Sequence, residues 1–241
     1  MEFKKQDATE DGDSGEKQAQ LKNNPSSCFG ISAFDLDHTL VQGNSSSYFF
    51  RYLCRQKALP LTQMWQPLIY SIRHRFLGMG LVELHHSVFN KILRGKRLEL
   101  LETYVDRFVN EYVSQSLYLP AVARLKRAQQ LGHYTVILSN SPSFLVKRFA
   151  KVLGVNDYYA TEYSVDENRR FDKILKILEG KDKAQHVVKI AEKLGVFLDQ
   201  VSAYSDSIFD LEFLKAAGKP IAVNPDKKLR AISVENQWRI I

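Results

Sequence analysis

Short apolar runs alternate with helical patterns over much of the chain. Four runs are apolar on both faces, as is typical of buried parallel strands: 28–36 (CFGISAFDL), 133–140 (HYTVILSN), 201–206 (VSAYSD) and 219–223 (KPIAV). Three stretches with apolar residues at helical spacing, each ending at a glycine, lie between them: 119–132, 142–154 and 181–195. This alternation predicts an α/β fold built on a parallel sheet with helices on both faces.

One interval is too long for a simple strand-to-strand crossover. About ninety residues separate the first two strands, and four helical patterns occupy most of that interval: 44–56, 62–75, 80–93 and 97–113. We therefore expect a helical cap over 44–118, inserted into a core made of 26–43 and 119–241. An insertion at this point overhangs the carboxyl ends of the strands, where open α/β sheets bind ligands. Residues 1–25 are polar and nearly free of large apolar side chains, which predicts a disordered tail.

The segment 61–82 is apolar enough to raise the question of a membrane. Arg73, His74 and Arg75 interrupt it, and its apolar portions are too short to span a bilayer. A cap helix is the favoured interpretation, with an interfacial amphipathic helix as the alternative.

Composition and charge limit the classes of partner that we expect for this protein. The chain has 241 residues, 44% hydrophobic and 25% charged, which is ordinary for a soluble globular protein. Its net charge is +7, and residues 51–107 are the basic part. A basic surface favours phosphate esters, acidic lipid or nucleic acid, but no RNA-binding pattern is present, so no nucleic acid is expected. Two cysteines and a polar N-terminus favour a reduced, cytoplasmic protein without a signal peptide.

Acidic and hydroxyl side chains follow three of the predicted strands. Asp35 and Asp37 end the first, Ser139 the second and Asp206 the third. The ends of parallel strands share one edge of a sheet, so these residues should converge. Clustered carboxylates repel one another unless a cation is present, and oxygen ligands favour Mg²⁺. Taken singly, each motif has a simpler interpretation as a turn, a strand end or a helix cap.

Four motifs together resemble those of the haloacid dehalogenase superfamily of phosphohydrolases: FDLDHTL, VILSNS, a lysine after LEGKDK, and YSDSIFDLEFL. The resemblance covers 29–241 and is closest to the phosphoserine-phosphatase-like branch, subfamily IB, which carries a helical cap on a Rossmann-like core. It implies an Mg²⁺-dependent phosphatase that forms an aspartyl-phosphate. The substrate would be a small phosphorylated metabolite or a lipid head group, which leaves contact with an anionic membrane surface open.

The resemblance also implies roles at the first motif. Asp35 would be the nucleophile, and Asp37 the general acid and base. Asp35, Asp206 and the main-chain carbonyl of Asp37 would bind Mg²⁺. Thr39 would bind the phosphoryl group.

The remaining motifs complete the implied site. Ser139 and Asn140 would also bind the phosphoryl group. Lys183 would balance the charge of nucleophile and phosphate, with Lys181 as the alternative. Asp210 would support the metal ligands without binding the ion.

Two features concern the substrate. Phosphoserine phosphatases carry a glutamate nine residues after the nucleophile, and this chain has Asn44 there, which argues against phosphoserine itself. Arg94, with Lys96 and Arg97, could reach an acidic group on the substrate from the cap.

Three histidines are interpreted without a catalytic role. His38 should point away from the aspartates between which it lies, and His85 and His86 should lie at the surface.

Two alternatives to a phosphatase remain at this point. One is a phosphotransferase on the same fold, and the other is a non-catalytic binding or regulatory protein. The intact set of site residues argues against the second.

Overall fold

A seven-stranded sheet lies at the centre of this computed structural model, which describes residues 29–60 and 80–241. Its strands in chain order are β1 (Ile31–Phe34), β2 (Tyr134–Pro142), β3 (Asp157–Val165), β4 (Phe171–Lys176), β5 (Val201–Ser205), β6 (Lys219–Ala222) and β7 (Arg239–Ile240). Across the sheet they follow the order β4-β3-β2-β1-β5-β6-β7. All neighbouring pairs are parallel except β3 and β4, so the predicted parallel α/β sheet is confirmed.

Eight α-helices accompany the sheet within the described residues: α1 (Ser45–Arg55), α2 (Leu81–Val88), α3 (Leu98–Ser116), α4 (Leu119–Gln130), α5 (Ser143–Leu153), α6 (Gly180–Leu194), α7 (Leu211–Lys215) and α8 (Lys227–Glu235). A π-helical turn, Phe89–Leu93, continues α2, so the predicted helix 80–93 changes its winding at residue 89.

Both faces of the sheet are covered by helices, because successive strand residues point to opposite sides. On one face Phe34 and Ile137 pack with α4, α5 and the helices of the insertion. On the other face Ile31 and Ala33 pack with α6, α7 and α8. The two hydrophobic layers confirm the Rossmann-like arrangement and place β1 in the middle of the molecule.

Three strands depart from the predicted set. None of the four predicted strands lies between β2 and β5, where the structure has two, β3 and β4. Neither of these has a continuous apolar run, since most of their side chains are half-buried or exposed. The two-residue β7 is too short to leave a sequence pattern.

Among the described residues, main-chain hydrogen bonds join the inserted helices to the rest of the fold at two places. Near the point where the chain enters the insertion, the Gln42 amide donates to the Ser116 carbonyl at 2.6 Å. Where the chain leaves it, the Tyr118 amide donates to the Leu40 carbonyl at 2.9 Å. We call this pair of main-chain hydrogen bonds the hinge. The four hinge residues bring the start and the end of the insertion side by side.

The second attachment joins the loop after the π-helical turn to the β3–β4 hairpin. The Gly95 amide donates to the Phe171 carbonyl at 2.8 Å, and the Phe171 amide to the Lys96 carbonyl at 3.0 Å. The Leu98 amide donates to the Arg169 carbonyl at 2.9 Å. We call this main-chain contact the hairpin contact.

No helix in the described part of the chain is long and apolar enough to cross a membrane. The predicted helix 62–75, most of the segment 61–82 and the predicted tail 1–25 lie outside the described residues.

Candidate active site

The polar residues predicted from the strand ends meet at one edge of the sheet. Phe34, the last residue of β1, is aligned with Ile137 of β2 and with Tyr204 of β5. The Asp35 amide continues the β5 ladder by donating to the Tyr204 carbonyl at 2.9 Å. Asp35 and Asp206 therefore leave neighbouring parallel strands at the same level, at the point where the strand order reverses.

Lys183 joins two of the buried carboxylates. Its Nζ lies 2.8 Å from Oδ1 of Asp35 and 2.7 Å from Oδ2 of Asp210. Oδ2 of Asp210 also accepts from the Ser205 hydroxyl at 2.7 Å. Lys183 is 2% exposed, whereas Lys181, the alternative, lies at the surface. Both Lys183 and Ser205 thus donate to the same oxygen of Asp210.

A close approach of α6 to the turn Ile208–Asp210 places Lys183. Gly180 starts this helix, and a Cβ there would lie 2.2 Å from the Phe209 carbonyl oxygen. The side chain of Glu179 accepts from the Asp182 amide and that of Asp182 from the Glu179 amide, a capping box that fixes where the helix begins. Only glycine lets the helix start close enough for Lys183, three residues on, to reach both carboxylates.

Burial and mutual repulsion set the electrostatics of this cluster. Burial raises the pKa of Asp35 well above its usual value; Lys183 opposes the shift, and Asp210 and Asp206 add to it. Burial, followed by the charge of Asp210, raises the pKa of Asp206 to about 7. Burial lowers the pKa of the Lys183 ammonium, but Asp210 and Asp35 outweigh it and leave the pKa above its usual value. Three carboxylates thus share one ammonium, and the site carries excess negative charge.

Asp37 faces a different set of partners. Its Oδ1 accepts from the Ser45 amide at 2.7 Å, and its Oδ2 accepts from the Ser141 hydroxyl at 2.6 Å. The Asn44 side-chain amide is a more distant donor to Oδ2, at 3.4 Å. Ser45 is the first residue of α1, so Asp37 lies between the core and the inserted helices, whereas Asp35 faces the core.

The predicted phosphate-binding residues lie at the same edge. The Thr39 hydroxyl donates to Oδ1 of Asp206 at 3.3 Å. Ser139 is fully buried, and its hydroxyl oxygen accepts from the Ser141 amide at 3.2 Å. The Asn140 carbonyl accepts from the Thr161 hydroxyl at 2.7 Å, which ties the end of β2 to β3.

The predicted substrate residues are placed apart from each other. Asn44 is the N-cap of α1, with its side-chain oxygen accepting from the Ser47 amide at 2.8 Å. Arg94 is exposed beside the hairpin contact, and the described residues show no contact between it and the carboxylates. His38 is exposed, as expected. The reason differs from the expected one, because its backbone is in the left-handed region (φ 59°) rather than in an extended conformation.

Sequence reasoning missed three hydroxyl residues of the site. Ser141 follows Ser139 by two residues in β2, and period-two alternation could have placed it on the same face. Ser205 directly precedes Asp206, and its hydroxyl donates to Asp210. Thr161 lies in β3, which was not recognised as a strand at that position.

The donor set fits a hard divalent cation. Within 29–60 and 80–241, no three His, Cys, Asp or Glu side chains form a ready metal-binding group. The set implied by the resemblance needs only two carboxylates, Asp35 and Asp206, because Asp37 would contribute its main-chain carbonyl. Oδ2 of Asp35 accepts no hydrogen bond from the described residues. Oxygen donors with excess negative charge are what Mg²⁺ favours.

Comparisons with known proteins agree with this geometry. A family model described as haloacid dehalogenase-like hydrolase matches residues 33–215. Phosphoserine phosphatase SerB1 from Mycobacterium tuberculosis is 26% identical over 211 residues, which cover 86% of this chain and 68% of the relative. A structure of a protein of unknown function from Bordetella pertussis superposes with a TM-score of 0.79 at 23% identity, covering 89% of this chain and 99% of the other. A phosphoserine phosphatase solved as a phospho-aspartyl intermediate analogue superposes with a TM-score of 0.63 at 17% identity, covering 88% and 92%.

Proposed function

Because the chain belongs to the haloacid dehalogenase-like hydrolase family and has phosphatases among its relatives, we propose that it hydrolyses small phosphate monoesters through an aspartyl-phosphate on Asp35. The observation that carries the proposal is the buried contact of Lys183 with Asp35, next to Asp206 at the neighbouring strand end. A carboxylate held in this way has one oxygen fixed and the other open for attack.

Asp35 acts first. Oδ1 is held by Lys183, and Oδ2 attacks the phosphorus atom of the monoester. The new Asp35–phosphorus bond forms as the bond from phosphorus to the leaving oxygen breaks. Lys183 and the hydroxyls of Thr39 and Ser139 offset the negative charge that spreads over the phosphoryl oxygens.

Asp37 handles the proton in both steps. Its protonated carboxyl gives a proton to the leaving oxygen, so an alcohol departs rather than an alkoxide. The resulting carboxylate then takes a proton from a water molecule that attacks the aspartyl-phosphate. This second step releases phosphate and restores Asp35 and the protonated Asp37.

The carboxylates of Asp35 and Asp206 and the main-chain carbonyl of Asp37 would hold Mg²⁺. When bound, the ion supplies charge neutralisation for nucleophile and phosphate. Burial, followed by the charge of Asp210, raises the pKa of Asp206 to about 7, and a bound cation would oppose both effects.

The place of Asn44 bears on the substrate. Its two side-chain groups are directed to the Ser47 amide and to Asp37. An amide in these contacts does not neutralise an ammonium group. We therefore propose a monoester other than phosphoserine as the substrate.

The mechanism is tested with p-nitrophenyl phosphate. Wild type should turn it over with Mg²⁺ and lose activity with excess EDTA, whereas Asp35→Asn should be inactive under both conditions. Asp172→Asn makes the same change at an exposed aspartate in β4 and should leave turnover unchanged. Equal Mg²⁺-dependent rates for wild type and Asp35→Asn would refute the proposal. A screen of phosphorylated metabolites and lipid head groups then identifies the substrate.

A further inference from the structure

A chain of two serine hydroxyls ends on Asp37. The Ser141 hydroxyl lies 2.6 Å from Oδ2 of Asp37, and the Ser46 hydroxyl lies 2.6 Å from that of Ser141. The Ser141 hydroxyl donates its one proton to Asp37, so its oxygen is left to accept from the Ser46 hydroxyl. Asp37 and Ser141 are buried and Ser46 is half-buried, so little water competes for these contacts.

The donors to Asp37 come from two parts of the fold. Ser141 belongs to β2, whereas Ser45 and Ser46 are the first two residues of α1. The Ser45 amide takes one lone pair of Oδ1, and the Ser141 hydroxyl takes one of Oδ2. These donors on opposite oxygens fix the plane of the carboxyl group; the more distant Asn44 amide, at 3.4 Å, also faces Oδ2, so Oδ1 keeps a lone pair for a proton.

We propose that Ser141 is a positioning residue for Asp37, supported by Ser46, and that it aims the carboxyl group at the leaving oxygen. This inference rests on the proposed function, since it gives a task to a residue that acts through the general acid. Its distinguishing consequence concerns the leaving group. An ill-aimed acid slows the departure of a poor leaving group and hardly affects one that departs without protonation.

The test compares two aryl phosphates of nearly the same shape. Phenolate is the poorer leaving group and depends on the proton from Asp37, whereas p-nitrophenolate is stable near neutral pH. The constant kcat/KM reports the steps up to leaving-group departure, so it isolates the acid role from the later attack of water.

For Ser141→Ala we expect kcat/KM on phenyl phosphate to fall roughly ten- to hundredfold, a part of the 10²–10⁴ that general acid–base catalysis supplies. On p-nitrophenyl phosphate the fall should be less than about threefold. Ser46→Ala should show the same selectivity with a smaller loss, and Ser141→Thr, which keeps the hydroxyl, should recover most of the activity on phenyl phosphate. Ser114→Ala, at an exposed serine of α3 that bonds only to its own helix, is the control and should match wild type.

The outcomes separate the two proposals. An equal loss on both substrates in Ser141→Ala would mean general damage to the site and would overturn the positioning role, as would no loss on either. If wild type hydrolyses neither substrate with Mg²⁺ present, the proposed function itself fails. Unfolding curves of Ser141→Ala and Ser46→Ala, recorded beside the kinetics, confirm that each variant is folded when assayed.

Discussion

Replacing Lys183 by methionine removes, at nearly constant side-chain length, the one ammonium group that contacts Asp35 and Asp210 among residues 29–60 and 80–241. In wild type that group contacts Asp35 at 2.8 Å and Asp210 at 2.7 Å, with all three side chains at most 10% exposed. The variant keeps the apolar stem of the lysine against its neighbours. It leaves Asp35 and Asp210 buried without their shared cation.

The expected loss of stability in Lys183→Met can be worked out from these distances. At an effective dielectric constant of about 20, each contact is worth roughly 6 kcal/mol of attraction before desolvation is counted. Desolvation of the ammonium and the carboxylates offsets much of this. Removing one partner of such a buried pair typically destabilises a protein by about 3–5 kcal/mol, because the remaining charge has no counterion. We expect a loss in that range for Lys183→Met, together with loss of activity.

The loss should depend on pH. Burial raises the pKa of Asp35 and Lys183 lowers it, so the pKa rises further in the variant. A carboxyl group whose pKa is higher in the folded than in the unfolded state destabilises the fold once pH exceeds the unfolded value, about 4. The stability gap between wild type and Lys183→Met should therefore be wide near pH 7.5 and narrow as pH falls toward 4.5.

Urea unfolding in EDTA, so that no metal compensates, measures this gap at both pH values. Lys181→Met is the matched control, because Lys181 is exposed on the same helix; it should change stability by no more than about 0.5 kcal/mol. Equal stability of Lys183→Met and wild type at pH 7.5 would refute the reasoning. So would a gap that widens on acidification.

Two further substitutions test how the site is held. Gly180→Ala places a methyl group 2.2 Å from the Phe209 carbonyl oxygen and should destabilise the fold by about 1–3 kcal/mol. The comparison in thermal melts is Gly80→Ala, whose methyl group meets none of the described residues within 4 Å. Thr161→Val removes the hydroxyl that donates to the Asn140 carbonyl at 2.7 Å and accepts from the Leu178 amide at 3.3 Å, and should lower the free energy of unfolding by about 1–3 kcal/mol. An unchanged melting temperature of Gly180→Ala would show that the close approach of Gly180 to Phe209 does not contribute to stability. An unchanged melting temperature of Thr161→Val would show the same for the hydrogen bonds of Thr161.

Local patterns predicted much of the site, because its residues directly follow apolar strands. Asp35 and Asp206 each end a run that is buried on both faces, and strand order alone brings such ends together. The preference for Lys183 over Lys181 came from the family resemblance, and in the structure Lys183 is buried whereas Lys181 is exposed.

Contacts between distant segments could not be predicted in the same way. The bond from Ser141 to Asp37 joins residues 104 positions apart, and no periodicity in either segment encodes it. The strands β3 and β4 were not predicted because most of their side chains are half-buried or exposed, so neither strand carries a continuous apolar run. The hairpin contact depends on main-chain groups of Gly95 and Phe171, which carry no side-chain signature.

The two attachments of the inserted helices have a consequence for how this part of the protein can move. A rigid body fixed at a single point can turn about any axis, whereas one fixed at two points keeps only the rotation about the line joining them. The hinge and the hairpin contact are two such points, and side-chain bonds between Ser46 and Ser141 and between Arg148 and Asp106 add to them. A wide displacement of the described inserted helices from the sheet must therefore break these side-chain bonds as well as the main-chain bonds of Gly95 and Phe171.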